Sequence, residues 1–108
     1  MAKLLVVRGR DSFAALSRHG RRVREGPLTV LHLPGPEGPR VAFSVGRRVG
    51  PAVARNRLRR RLRALWRAES PSPGDYLVVA APPAATSTYG ELQAHLTAAL
   101  GRLEAAPA

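Results

Sequence analysis

The sequence contains no cysteine, so neither a disulfide framework nor a thiolate metal site holds the chain, and packing alone must do so. A reducing compartment fits that absence. Acids are scarce: 7 against 18 lysines and arginines, a formal charge of +11 on 108 residues. Those few acids and the 3 histidines show no recognisable spacing, so the positioned dyad that acid–base or nucleophilic catalysis needs is missing, and no catalytic residue is assigned. His19 reads as a helix-end residue, His32 as a strand residue with an exposed ring, and His95 as a solvent-side helix position. Arg8-Gly9-Arg10 and Gly46-Arg47-Arg48-Val49-Gly50 are too short for a phosphate-cradling loop and lack its Lys-Ser/Thr ending. The longest apolar stretch near the start, Leu4 to Val7, falls far short of a signal peptide's apolar region or the roughly 20 residues of a membrane span. A cytoplasmic protein with no membrane partner is expected.

Hydrophobic residues nevertheless reach 44%, close to the globular range, so a folded domain is expected rather than a basic tail. The length suits one domain over residues 1–108 with one modest core. No internal repeat is visible, and the Pro/Gly clusters at 34–39 and 70–74 read as turns. Asp11 or Ser12 caps a first helix carrying Phe13 and Leu16, and Gly20 after His19 is a left-handed stop. Pro27 to Leu33 and Arg40 to Gly46 read as strands that pair as an antiparallel hairpin. Pro51 opens a long helix with no further Pro or Gly before Pro71. Asp75 to Ala80 reads as a buried strand, and Thr88 to Glu104 as a helix packed through Leu92, Leu96, Ala99, Leu100 and Leu103. The order α-β-β-α-β-α predicts a two-layer α+β sandwich on a small, mostly antiparallel sheet.

On a helical wheel, Leu58, Leu62, Leu65 and Trp66 fall in an arc of about 100°, the width of a core-facing stripe. Asn56, Arg60, Arg63 and Arg67 lie opposite, flanked by Arg59 on one side and Arg57 and Arg61 on the other. A charged face is ordinarily just a helix's solvated side. Here, however, 7 arginines fall within 13 residues and no carboxylate interrupts them before Glu69. Like charges at this spacing repel, and a polyanion relieves that repulsion. Arginine's planar fork matches phosphate, which points to nucleic acid.

The segment Phe43-Ser44-Val45-Gly46-Arg47-Arg48-Val49-Gly50-Pro51-Ala52-Val53-Ala54-Arg55-Asn56-Arg57-Leu58-Arg59-Arg60-Arg61-Leu62-Arg63 closely resembles the signature of the bacterial ribonuclease P protein component. In that signature a strand ending in Ser and two basic residues leads through a Gly-containing turn into a helix with an Arg-Asn-Arg core. The likeness extends to Phe13, His19-Gly20, Asp75-Tyr76 and the last helix. It implies a subunit that binds a catalytic RNA, with one protein per RNA, the pair cutting precursor tRNA to give the mature 5′ end. It further implies that the RNA performs the chemistry with Mg²⁺ held mainly by RNA, with no organic cofactor and no metal site on the protein. By the resemblance, Arg55, Asn56, Arg57, Arg60, Arg61 and Arg63, with Arg47 and Arg48 in the preceding turn, face the RNA, and the wheel adds Arg59 and Arg67 to the same basic side. The resemblance also implies a cleft between the first helix and the sheet for the single-stranded 5′ leader, involving Phe13, Ser17, Thr29, Leu31 and Ser44. Family members often carry aromatics where this chain has Ser17 and Leu31, which implies leader binding that is weaker or more electrostatic here. A left-handed β-α-β crossover through the Arg-Asn-Arg helix is likewise implied by resemblance alone.

Two other readings compete. A ribosomal or other structural RNA-binding protein shares the basic α+β composition but needs no leader cleft. A peripheral membrane binder could use a basic helix with Leu and Trp behind it, although Trp66 is better explained as core.

Overall fold

The structure, a computed structural model, describes residues 4–105. Its elements run α1 (Arg10–His19), β1 (Arg21–Glu25), β2 (Leu28–Pro34), β3 (Arg40–Val45), α2 (Ala52–Arg67), β4 (Gly74–Ala80) and α3 (Tyr89–Glu104), with short 3-10 turns at Arg47–Val49 and Pro82–Thr86. The α+β architecture and the three helices agree with expectation. The expected order α-β-β-α-β-α is corrected by one extra strand, β1, whose lone buried residue is Val23. An edge strand needs only one apolar anchor, and its arginines hid it in the sequence. The β1–β2 turn uses Gly26 at φ 56°, a left-handed position open to glycine, and any Cβ there would lie 2.5 Å from the His95 ring.

The sheet order is β1-β2-β4-β3. β2 runs antiparallel to both β1 and β4, while β3 runs parallel to β4. The expected hairpin between β2 and β3 therefore does not form. β4 is apolar towards both faces, Tyr76 and Val78 on one and Leu77 and Val79 on the other, so it takes the interior position that covers both. The parallel β3–β4 pair then needs a crossover, and α2 supplies it.

The main core lies between the sheet and the α2/α3 layer. Leu58, Leu62, Leu65 and Trp66 of α2, with Leu92, Leu96 and Leu100 of α3, meet Val30, Val41, Tyr76 and Val78. On the opposite face, Leu16 of α1 packs with Val7 and Leu31. The segment before α1 runs along β3: Val41 N–H donates to the Leu5 carbonyl at 2.9 Å and Val7 N–H to the Val41 carbonyl at 3.2 Å.

Helix ends follow local chemistry with two corrections. α1 begins at Arg10 after Gly9, so neither Asp11 nor Ser12 is its cap. Gly20 is extended (φ −67°, ψ 142°) rather than left-handed, and what requires glycine there is the Leu16 carbonyl, which any Cβ would strike. α3 opens with a reciprocal capping box: Glu91 N–H donates to Thr88 Oγ1 at 3.1 Å and Thr88 N–H to Glu91 Oε1 at 2.8 Å. Those bonds hold the Glu91 carboxyl below its ordinary pKa.

His32 is buried, contrary to the exposed ring expected, because β2 is an interior strand. Its ring stacks on Tyr76 at 4.1 Å and Nε2 lies 3.1 Å from the Pro73 carbonyl. His95 is half-buried against the Gly26 turn, and His19 is exposed at the end of α1. The loop before β4 is tied at Ser72, whose N–H and hydroxyl donate to the Glu104 carboxylate at 2.8 and 2.6 Å, while Tyr76 Oη donates to the Ser72 carbonyl at 2.7 Å. Burial pushes the Tyr76 hydroxyl pKa up, and the Ser72 bonds hold Glu104 below its ordinary value.

Leu62 is fully buried, so Leu62→Ala is expected to cost about 2–5 kcal/mol in urea unfolding. A carboxyl with a depressed folded-state pKa contributes stability that is present above its ordinary value of 4.5 and lost as pH falls through the folded value. Glu104→Gln should therefore flatten the acid side of the stability–pH curve, measured by denaturant titration from neutral to acidic pH.

Candidate nucleic-acid interface

The α2 helix separates its two faces by burial. Leu58, Leu62, Leu65 and Trp66 are buried, whereas Asn56, Arg57, Arg60, Arg63 and Arg67 are exposed and Arg55, Arg59 and Arg61 are half-buried at the flanks. Burying each apolar side chain is worth about 1.5–3 kcal/mol, against roughly 0.2–0.5 kcal/mol for each like-charge pair. Packing therefore wins, and the arginines are held at close quarters by the core behind them. Arg47 and Arg48 are exposed on the 3-10 turn that leads into the helix.

Among the described residues the ion pairs are Arg40–Asp75 at 2.7 Å and Arg102–Glu25 at 2.5 Å. Neither involves an arginine of α2 or of the preceding turn. Two flanking arginines also have structural contacts that the wheel did not foresee. Arg55 Nε donates to the Gly50 carbonyl at 3.1 Å, fixing the turn, and Arg59 Nη2 donates to the Val45 carbonyl at 3.2 Å, fixing the end of β3. A guanidinium has five N–H donors, so these bonds orient each fork without exhausting it.

The predicted cleft residues divide by position. Thr29 of β2 and Ser44 of β3 both lie opposite Val79 of β4 and form one transverse row on the α1 face. Ser44 is exposed and Thr29 half-buried. Phe13 is 38% exposed, and Ser17, one turn further along α1, is exposed. Leu31 differs: at 3% exposure it packs with Leu16 and Val7, so it supports α1 and offers no contact surface.

The structure also joins surfaces that the sequence left separate. Phe13 and Phe43 share a cavity of about 220 Å³ with Arg59 and Arg63 of α2 and with Val6, Val7 and Val41. The arginine helix thus reaches Phe13 of the expected cleft, while Ser17, Thr29 and Ser44 lie outside this cavity. Sequence reasoning also passed over Val53, 79% exposed on the first turn of α2. Its signal was available, since an aliphatic residue one turn before Arg57 falls on the basic side of the wheel. No group of three or more His, Asp or Glu side chains that could hold a metal occurs among the described residues, and no helix among them is long and apolar enough to cross a membrane.

A small α+β fold carrying an arginine surface with no ion-pair partner among the described residues is the arrangement of a nucleic-acid-binding protein. Comparison with known proteins makes the class specific. The Ribonuclease P family model matches residues 1–104. The ribonuclease P protein component of Acidothermus cellulolyticus is 41% identical over 104 residues, covering 90% of this chain and 86% of that one. That of Thermobifida fusca is 44% identical over 106 residues, covering 87% and 72%. In fold, the Staphylococcus aureus RNase P protein superposes with a TM-score of 0.84 at 23% identity over 94% of this chain and 97% of that one. The Thermotoga maritima RNase P protein does so with 0.80 at 23% identity over 90% and 96%. The chain belongs to the ribonuclease P protein family. Membership places it in tRNA 5′ processing as a subunit and sets aside the ribosomal alternative.

The division among cleft residues is testable by unfolding. Leu31→Ala should cost about 2–5 kcal/mol, and Phe13→Ala clearly less, when both are measured by urea denaturation. Equal losses would show that Phe13 too serves as core.

Proposed function

We propose that the chain acts in two places at once: α2 and the turn before it dock on the ribonuclease P RNA, and the cleft beside α1 seats the single-stranded 5′ leader of precursor tRNA. The observation that carries this reading is the cavity in which Phe13 of α1 meets Arg59 and Arg63 of α2. Arg47, Arg48, Arg57, Arg60 and Arg67 supply phosphate contacts to the RNA, and Val53 adds an apolar contact against sugar or base. Arg59 and Arg63 stand at the border, where the leader leaves the catalytic RNA and enters the cleft. Within the cleft, Phe13 offers an exposed ring on which an unpaired base can stack, and Thr29 and Ser44 offer hydroxyls along the row beyond it.

In this reading the hydrolysis belongs to the RNA. The protein holds the leader so that the scissile phosphate sits where the RNA binds Mg²⁺, an ion that prefers oxygen ligands and keeps much of its water. Arginines that neutralise crowded phosphates lower the Mg²⁺ concentration the RNA needs. One protein per RNA and a cytoplasmic setting complete the picture.

The deciding experiment adds the purified chain to ribonuclease P RNA at low Mg²⁺ and follows precursor cleavage. Faster cleavage with preference for precursor over mature tRNA is expected, whereas activity at the level of RNA alone would contradict the proposal. Arg60→Ala should weaken RNA affinity and flatten its logarithmic salt slope by about 0.7–0.9, the value of one phosphate contact. Phe13→Ala should spare RNA docking and reduce discrimination between precursor and mature tRNA, read from competition binding to the reconstituted complex.

A further inference from the structure

The cleft has a second end, at the edge strand β1. Pairing sets Arg24 opposite Thr29 and Arg22 opposite Leu31. Side chains alternate along a strand, so both guanidiniums lie on the same sheet face as the cleft. Arg21, Val23 and Glu25 point to the other face. There Val23 enters the main core, Arg21 Nη1 donates to the Leu103 carbonyl at 3.3 Å, and Glu25 pairs with Arg102 of α3. The strand's only acid is therefore turned away from the cleft and neutralised. Arg22 and Arg24 are exposed, and neither belongs to an ion pair among the described residues. Arg24 Nε donates to the Gly26 carbonyl at 3.3 Å, which aims its fork along the β1–β2 turn.

Arg24, Thr29, Val79 and Ser44 thus form a continuous row across β1, β2, β4 and β3. At a strand spacing of about 4.8 Å the row is about 14 Å long. Its β3 end meets the Arg59-bonded terminus of that strand, and its β1 end is Arg24 with Arg22 beside it. Both ends are basic, and the middle carries hydroxyl and aliphatic groups with no aromatic ring. Resting on the leader-cleft reading above, we propose that Arg22 and Arg24 bind phosphates of the leader's upstream nucleotides, so that the single strand crosses the sheet from β3 to β1 and is gripped at both ends. Holding the strand by its phosphates accepts any base sequence, which suits leaders of varied composition. Charged residues on an edge strand also discourage strand-to-strand association, but that role is blind to leader length.

The test uses the reconstituted holoenzyme and precursor tRNAs whose leaders are trimmed stepwise from the 5′ end. With the wild-type chain, affinity should rise with leader length and then level off. In the double variant Arg22→Ala/Arg24→Ala the loss should grow with leader length, reaching about tenfold for the longest leaders. The salt slope for those leaders should flatten by about 1.4, two single-strand phosphates at about 0.7 each. Arg22→Lys/Arg24→Lys keeps both charges without the fork to Gly26 and should recover most of the affinity, which separates charge from any loosening of the turn. An equal loss at every leader length, or Lys variants as weak as the Ala variants, overturns the proposal. A wild-type length dependence that survives intact in the Ala double variant overturns it while sparing the leader-cleft reading. A wild-type holoenzyme indifferent to leader length overturns both.

Discussion

The structure depends on an opposition across one helix: the burial of Leu58, Leu62, Leu65 and Trp66 forces like charges together on the other side. Trp66 meets Tyr76 edge-on at 5.0 Å and Phe43 at 6.5 Å, so its ring fixes the rotation of α2 against both β4 and β3. Once that rotation is set, the outward direction of Arg57, Arg60, Arg63 and Arg67 follows. The free protein thus retains a field that only a dense polyanion can neutralise, and the core supplies the energy that holds the field in place.

The sheet order turns this helix into part of a larger surface. Because β4 sits inside and β3 outside, the crossover begins at the outer strand, where Arg59 and Arg63 of α2 come beside Phe13 of α1. Arg59 closes this corner through its bond to the Val45 carbonyl. Phe13 and Phe43 then meet Arg59 and Arg63 in one cavity. Had β2 and β3 formed a hairpin, β4 would not stand between them, and Val79 would not join Thr29 to Ser44.

The helices and the arginine stripe were legible because both rest on periodicity within one segment. The buried nature of β4 was legible too, from the uninterrupted apolar run Tyr76 to Ala80. Its position was not, because which strands it separates depends on contacts distant in sequence, and the nearby Pro/Gly turn favoured the simpler hairpin. β1 escaped notice because Val23 is its only buried side chain, and the burial of His32 followed from the same omission. The family resemblance singled out Phe13 and Ser44 as expected cleft residues, whereas the burial of Leu31 and the cavity that Arg59 and Arg63 share with Phe13 required coordinates. Arg22 and Arg24 read as part of a basic stretch, and only the register gives them a face.

The most direct measurement is binding of the purified chain to folded ribonuclease P RNA in competition with a random polyanion of equal charge at moderate ionic strength. A docking surface shaped for that RNA predicts a clear preference for the folded RNA, with a salt slope reflecting several phosphate contacts. Equal affinity for the two would contradict it and reduce the arginine stripe to a solvated helix face.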